Sequence, residues 1–218
     1  MKGTWQFRWF VLFMLLFVLF SCNGQISKEN KSQKMDSVNE QIRKSTEDFL
    51  NRPIYKVLTG EIIDKTPDDQ LLQVVFDNLS EKLPKDFSKE YTTVLTFSKP
   101  QQAVYVIWGL QAEINNGGFN QYYFNSSGQF AKMTPGALRL VGATKFADLV
   151  AKANGIFEIE NKKITKHQDG TLEGFSKSYN DNPLNHFDDE FYKLYKTEEL
   201  DKLQIEFIRK NKNDFIDK

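Results

Sequence analysis

The stretch that decides the fold lies in the middle of the chain and reads Glu113-Ile114-Asn115-Asn116-Gly117-Gly118-Phe119-Asn120-Gln121-Tyr122-Tyr123-Phe124-Asn125-Ser126-Ser127-Gly128. It occupies a region of low charge, because Glu113 is the only acidic residue between Glu90 and Asp148. Solvated faces normally carry charged side chains. The stretch is therefore predicted to form the interior of the domain.

Helices are predicted on both sides of the glycine pair in this stretch. Ser98 and Pro100 open the first one, whose apolar face comprises Ala103, Val104, Ile107, Leu110 and Ile114. Gly117-Gly118 ends it, because glycine tolerates the left-handed conformation that closes helices. The segment from Phe119 to Asn125 is predicted as a short helix, and Ser126 to Gln129 as a loop.

Apolar residues at helical spacing predict helices in most of the remaining chain. These helices are expected over residues 38–51, after Thr66-Pro67, after Thr134-Pro135, from Thr144, around residues 187–195 and from Glu198 to Lys210. In the second of them, Thr66 is predicted as the N-cap and Pro67 as a first-turn residue. The period changes near residues 156–166, where Phe157-Glu158-Ile159 and Lys163-Ile164-Thr165 fit a small hairpin. The predicted fold class is therefore all-α, a compact multi-helix single domain with at most one small hairpin near residues 156–166.

The N-terminus is predicted to carry an export signal. Lys2 and Arg8 precede the apolar run from Phe10 to Phe20. A membrane-spanning helix needs about 20 apolar residues, so this run is too short to span and fits a cleaved signal. The run ends in Leu19-Phe20-Ser21-Cys22, which resembles the lipobox of bacterial lipoproteins. We expect a lipoprotein signal at 1–21, lipid on Cys22, a flexible tether at 22–35 and a helical domain at 36–218. The protein is then anchored to a membrane of the bacterial cell envelope, outside the cytoplasm.

Charge and cysteine content exclude several classes of function. The chain has 29 basic and 29 acidic residues, and loss of Lys2 and Arg8 with the signal leaves 27 basic ones. Such a balance gives no reason to expect nucleic-acid binding, which depends on clustered cationic surface. Cys22 is the only cysteine, so its lipidation leaves no thiol for a disulfide, a metal site or catalysis.

The stretch from Glu113 to Gly128 resembles the central motif of the bacterial DNA-mimic-protein-like domain family. The similarity extends more loosely from the Thr66 helix to residues 191–215. In the namesake of this family, a dimeric acidic domain imitates the charge of DNA and binds a transcription factor. The resemblance implies a helical fold and admits a dimer. It implies activity less firmly, because this chain is near neutral and its expected location is outside the cytoplasm.

The motif supports two interpretations, both of which concern Glu113, Asn115, Asn116, Gly117, Gly118, Phe119, Asn120, Tyr122, Tyr123, Asn125 and Ser126. In the structural one, the aromatic residues pack inward, and Glu113 accepts hydrogen bonds from the free amides that open the helix after the glycine pair. The amides and hydroxyls then satisfy backbone groups in tight turns. In the functional one, an isolated carboxylate surrounded by amides and tyrosines forms a pocket for a sugar or a peptide.

Other candidate chemistry is sparse. A metal site of His186, Asp188 and Asp189 is less simple than a loop with a helix-capping aspartate, and Asp188-Asp189-Glu190 fits a charge cluster at a helix N-terminus. His167 is remote from His186 in sequence. The chain has no glycine-rich phosphate loop, no G-x-S-x-G and no H-E-x-x-H. We therefore expect no catalytic residue, no metal and no cofactor, and an enzyme is unsupported.

The function predicted from the sequence is a membrane-tethered protein-binding or scaffold module with a protein partner at the envelope. Two alternatives remain. One is a ligand-binding or hydrolytic pocket centred on Glu113, and the other is DNA mimicry by a local acidic patch.

Overall fold

A computed structural model describes residues 28–85, 88–167, 169 and 171–217, with side chains from residue 35 onward. The chain divides into two compact units between Ile54 and Tyr55. In the first unit, the described structure is helix α1 (Lys28–Leu50). In the second unit, the described helices are α2 (Gly60–Lys65), α3 (Asp68–Glu81), α4 (Glu90–Thr96), α5 (Lys99–Phe124), α6 (Thr134–Leu140), α7 (Thr144–Ile159), α8 (Asn161–Ile164), α9 (Leu172–Lys177), α10 (Asn185–Leu194) and α11 (Leu200–Lys210). The all-α prediction is confirmed.

The predicted hairpin near residues 156–166 is wrong. Helix α7 continues to Ile159 and α8 follows from Asn161 to Ile164. The ring of Phe157 stacks on Tyr123 with 4.1 Å between the ring centroids, so Phe157 belongs to the inner face of α7. The predicted strand Phe157-Glu158-Ile159 required both Phe157 and Ile159 to face the core. Ile159 is 79% exposed, so it does not face the core.

Of two helix starts predicted from N-cap residues, one is confirmed and one is wrong. Ser98 forms the predicted start of α5 as a capping box, in which Ser98 Oγ accepts from Gln101 N and Gln101 Oε1 accepts from Ser98 N. The prediction of Thr66 as an N-cap is wrong. Thr66 ends the short helix α2, and both its amide and its hydroxyl donate to Ile62 O. Pro67, predicted in the first turn, instead occupies the N-cap position of α3 and makes no capping side-chain hydrogen bond.

Helix α5 forms the centre of the second unit. It packs against α3, α4, α6 and α10, and its second half contributes Phe119 and Tyr122, which are fully buried. Trp108 of α5 stacks on Phe76 of α3 with 3.5 Å between the ring centroids. Burial of such large side chains is the main favourable contribution to folding. The charge-poor region therefore lies in the core, as predicted.

Helix α1 includes residues 28–35 of the segment predicted as a tether, a stretch rich in the helix formers Lys, Glu and Gln. Every helix among the described residues is either too short or too polar to span a bilayer. The signal at 1–21 and Cys22 lie outside the described residues. The domain boundaries at 22–35 and 36–218 stay predictions.

Candidate functional site

Helix α5 contains a break at the glycine pair. Gly117 has φ −160° and ψ 25°, and Gly118 has φ 69° and ψ −171°, whereas the helix resumes at Phe119. The predicted end of a helix at this pair is thus confirmed as a kink between two helical pieces. Each end of a helix leaves backbone groups without partners inside the helix. The kink therefore needs hydrogen-bonding partners from elsewhere in the fold.

Three side chains from the C-terminal third of the chain supply these partners. Asp188 Oδ1 of α10 accepts from Phe119 N at 2.7 Å. The hydroxyl of Tyr179 donates to Gly117 O at 2.8 Å. The hydroxyl of Tyr192 donates to Ile114 O at 3.0 Å. Together these bonds attach α10 and the turn before it to the kinked backbone of α5.

The contact between Asp188 and the kink requires glycine at position 118. A Cβ atom on Gly118 would overlap both carboxylate oxygens of Asp188. The positive φ with ψ near 180° is also a conformation that only glycine adopts readily. Gly118 is therefore explained by both backbone conformation and close packing.

Glu113 is 3% exposed and plays a different role from the predicted one. The prediction that it accepts from the amides after the glycine pair is wrong, because Asp188 accepts the Phe119 amide instead. Glu113 Oε2 accepts from Gln121 Nε2 at 2.8 Å and from Asn125 Nδ2 at 2.7 Å, and its Oε1 accepts from Ser127 Oγ at 3.1 Å. Glu113 thus connects α5 to the turn that follows it.

The pKa of Glu113 is raised, mainly because burial disfavours the charged carboxylate, and the charge of Glu90 adds to this effect. The three hydrogen bonds to Glu113 oppose the rise. No described lysine or arginine forms an ion pair with it. The carboxylate is therefore stabilised by neutral donors alone.

The other interior residues of the motif also have internal partners. Asn120 Nδ2 donates to Ser178 Oγ, and Asn120 Oδ1 accepts from Asn182 Nδ2. Hydroxyl bonds join Tyr122 to Thr134 Oγ1 and Tyr123 to Asn154 Oδ1. The ring of Phe119 makes edge contacts with Phe187 and Phe191. The inward packing predicted for Phe119, Tyr122 and Tyr123 is confirmed.

Asn115 and Asn116 of the motif remain at the surface, next to the side chains that hold the kink. Asn115 is half-buried and Asn116 is exposed, whereas Asp189 and Tyr192 of α10 are exposed. We call this surface the kink face and define it by Asn115, Asn116, Tyr179, Asp188, Asp189 and Tyr192. Ser126, the remaining predicted residue, is exposed and begins a 3-10 turn (Ser126–Phe130) where the sequence predicted a loop.

Electrostatics single out Asp188 within the kink face. Burial raises its pKa to about 6, and the neighbouring charge of Asp189 adds to the rise, whereas the Phe119 amide and His186 lower it. Among the described residues, no lysine or arginine forms an ion pair with Asp188 or Asp189. Burial also raises the pKa of Tyr179 to about 12, so its hydroxyl remains a donor at neutral pH.

Comparison with protein families gives a match to the model of the DMP19-like protein over residues 95–211, which is more than half of the chain. The chain belongs to the DMP19-like protein family. The matched region contains α5, the kink and all the residues of the kink face. A search of curated proteins and a search of solved structures each gave no match.

For this member of the DMP19-like protein family, sequence reasoning missed most of the kink face. Asp188 and Asp189 were expected to act on the dipole of their own helix, and Tyr179 and Tyr192 carried no local signal. The α5 partners of Asp188, Tyr179 and Tyr192 lie between 62 and 78 residues away in sequence. The candidate metal site at His186 is not supported, since no suitable group of three ligands occurs among the described residues.

Proposed function

We propose that this chain is a protein-binding module, anchored to a bacterial cell envelope by lipid on Cys22, which binds a positively charged protein segment at the kink face. The observation that supports this proposal is an acidic, tyrosine-bearing surface whose carboxylates lack cationic partners among the described residues. The anchor is inferred from the lipobox-like Leu19-Phe20-Ser21-Cys22, and the binding surface from the packing of α10 on α5.

The kink face has the chemistry of a protein interface. Asp188 and Asp189 are consecutive acidic residues on α10, and Tyr192 on the same helix is 40% exposed. Tyrosine is enriched at interfaces because it combines apolar area with a polar group. Unpaired surface carboxylates favour a partner of opposite charge, both in the rate of encounter and in specificity. A lysine- or arginine-rich segment fits this surface.

The alternative of a pocket centred on Glu113 receives less support. Both carboxylate oxygens of Glu113 accept hydrogen bonds within the protein, and the side chain is buried. A substrate would have to displace Gln121, Asn125 or Ser127 and leave a buried donor without a partner, which costs about 1 to 3 kcal/mol. Glu113 is more simply explained as part of the scaffold that positions the kink.

DNA mimicry is the second candidate, and one observation favours it. Residues 181–201 contain seven acidic and two basic residues, although the whole chain is neutral. The local excess of negative charge includes Asp188 and Asp189 of the kink face. A DNA-mimicking surface and a general acidic docking surface differ in one property, which is whether DNA competes for the same partner.

The proposal can be tested with the full-length protein in its native membrane. A photo-crosslinking amino acid in place of Asn116 should yield a defined protein adduct, and the same amino acid in place of the exposed Asp69 on α3 should not. Adding Asp189→Asn to the first variant should reduce the adduct, because it removes an unpaired carboxylate from the face. A yield that is equal at both positions, or unaffected by Asp189→Asn, would contradict the proposal.

The same experiment separates the two candidates. The adduct should be identified by mass spectrometry and its formation repeated after permeabilisation in the presence of duplex DNA. Competition by DNA, together with a DNA-binding protein in the adduct, would favour mimicry. An adduct that DNA leaves unchanged would favour a docking surface for an envelope protein.

A further inference from the structure

We infer that Asp188 makes the kink face respond to pH, because one carboxylate both completes the backbone hydrogen bonding of the kink and contributes negative charge to the binding surface. The part of this inference that concerns binding rests on the proposed function. The part that concerns the fold does not.

The geometry gives Asp188 two roles at one place. Its Oδ1 accepts the amide of Phe119, and its carboxylate lies against the Cα position of Gly118, where no side chain intervenes. Asp188 is half-buried, so the residue contacts both the protein interior and solvent. A change in its protonation therefore alters a backbone contact and a surface charge together.

Few other groups influence this carboxylate. On α10 itself, Asp189 favours and His186 opposes its protonation. The hydroxyls nearby belong to Tyr192 on the same helix and to Tyr179 in the preceding turn, and both stay neutral because the pKa of each is raised. Helix α5 contributes the Phe119 amide. Helix α7 also packs on α10, and no charged side chain of its described residues shifts the pKa of Asp188.

The direction of the response follows from linkage. The pKa of Asp188 in the folded protein is about 6, above the ordinary aspartate value of 3.8. The folded state therefore binds this proton more tightly than the unfolded state, and stability decreases as the pH rises through this range. Charge acts in the opposite direction on binding, because the ionised carboxylate attracts a cationic partner. Acidification should strengthen the fold and weaken binding.

The first measurement is made on the detergent-solubilised full-length protein. A carboxyl-detected NMR titration of wild-type Asp188 should give a midpoint near pH 6, and this measurement needs no variant. The thermal midpoint should rise as the pH is lowered from about 7.5 to about 5. The increase in the thermal midpoint should be smaller in Asp188→Asn than in the wild-type protein. In the control Asp69→Asn, which removes an exposed carboxylate from α3, the increase should equal that of the wild-type protein.

The second measurement uses a hexalysine peptide as the probe. Its affinity for the wild-type protein should fall several-fold between about pH 7.5 and about pH 5, and the fall should be smaller in Asp188→Asn than in Asp69→Asn. An Asp188 titration midpoint close to 4 would overturn the inference and leave the proposed binding surface intact. A peptide that fails to bind at about pH 7.5 would overturn the proposed function and the pH response of binding with it. The titration and the thermal midpoints would then still decide the response of the fold.

Discussion

The backbone amide of Phe119 on α5 donates a hydrogen bond to the side chain of Asp188 on α10, with 2.7 Å between Phe119 N and Asp188 Oδ1. The two residues are 69 positions apart. The bond provides a partner for a helix-start amide that the glycine pair leaves without one. Together with the hydroxyls of Tyr179 and Tyr192, it attaches α10 and the turn before it to the kink of α5.

Replacing Gly118 by alanine should disrupt this attachment. The new Cβ would overlap the Asp188 carboxylate, and alanine would be strained at φ 69°. We expect a loss of about 2 to 4 kcal/mol in the free energy of unfolding, measured by chemical denaturation. Gly136→Ala is the matched control, because α6 leaves open space at that position and alanine should stabilise the helix by about 0.5 to 1 kcal/mol. Equal effects of the two substitutions would contradict the role of Gly118.

Truncation of Phe119 should show how much the core depends on the motif. The ring is fully buried among Tyr123, Phe187 and Phe191. Phe119→Ala should therefore cost about 3 to 5 kcal/mol, the usual range for deleting a core aromatic side chain. Leu172→Ala should change stability by less than about 0.5 kcal/mol, because Leu172 is 82% exposed. Urea unfolding of both variants measures the difference, and a Phe119→Ala midpoint near that of wild type would refute the assignment.

Variants of Glu113 distinguish a structural from a functional carboxylate. Glu113→Ala leaves the donors on Gln121, Asn125 and Ser127 without their acceptor, at a cost of about 1 to 3 kcal/mol. Glu113→Gln keeps one acceptor oxygen and removes a desolvated charge, so it should lose less. Thermal melts at neutral pH should therefore rank wild type first, glutamine second and alanine third. An alanine variant as stable as wild type would point to a functional role for Glu113.

The same residue should contribute to the pH dependence of stability. Because the pKa of Glu113 is raised in the folded protein, its contribution to stability should increase as the pH falls toward that pKa. Melts of Glu113→Gln across the acidic range should lack this contribution.

Asp217 near the C-terminus should show the opposite pH dependence. Burial opposes its ionisation, but Lys82 and the hydrogen bonds from Leu58 N and Asn78 Nδ2 together lower its pKa. The stability that it contributes is therefore present at neutral pH and lost as the pH falls through its folded pKa. Asp217→Asn should reduce stability by about 1 to 2 kcal/mol at neutral pH and have little effect in strong acid. A loss that is independent of pH would indicate that the charge is not responsible.

Cys22→Ser should abolish lipid attachment and membrane retention. Stable anchoring needs more than one acyl chain, and a bacterial lipoprotein receives these chains on its cysteine. Cells grown with a clickable fatty acid should label the wild-type protein and leave the serine variant unlabelled. Equal labelling of the two proteins would show that Cys22 is not the site of modification.

Local chemistry in the sequence determined the helical class, the break at Gly117-Gly118, the capping box at Ser98 and the burial of Phe119 and Tyr122. These features depend on backbone conformation, on contacts three or four residues apart and on low charge, all of which can be read within a short window.

The tertiary structure decided which acceptor serves the Phe119 amide. The sequence indicated that an acceptor was needed there, but Glu113 and Asp188 both satisfy that requirement chemically. Only the packing of α10 against α5 brings Asp188 to the kink and leaves Glu113 to the turn that follows. The same packing brings Tyr179, Asp189 and Tyr192 beside Asn115 and Asn116, because a surface made of distant segments exists only after the chain has folded.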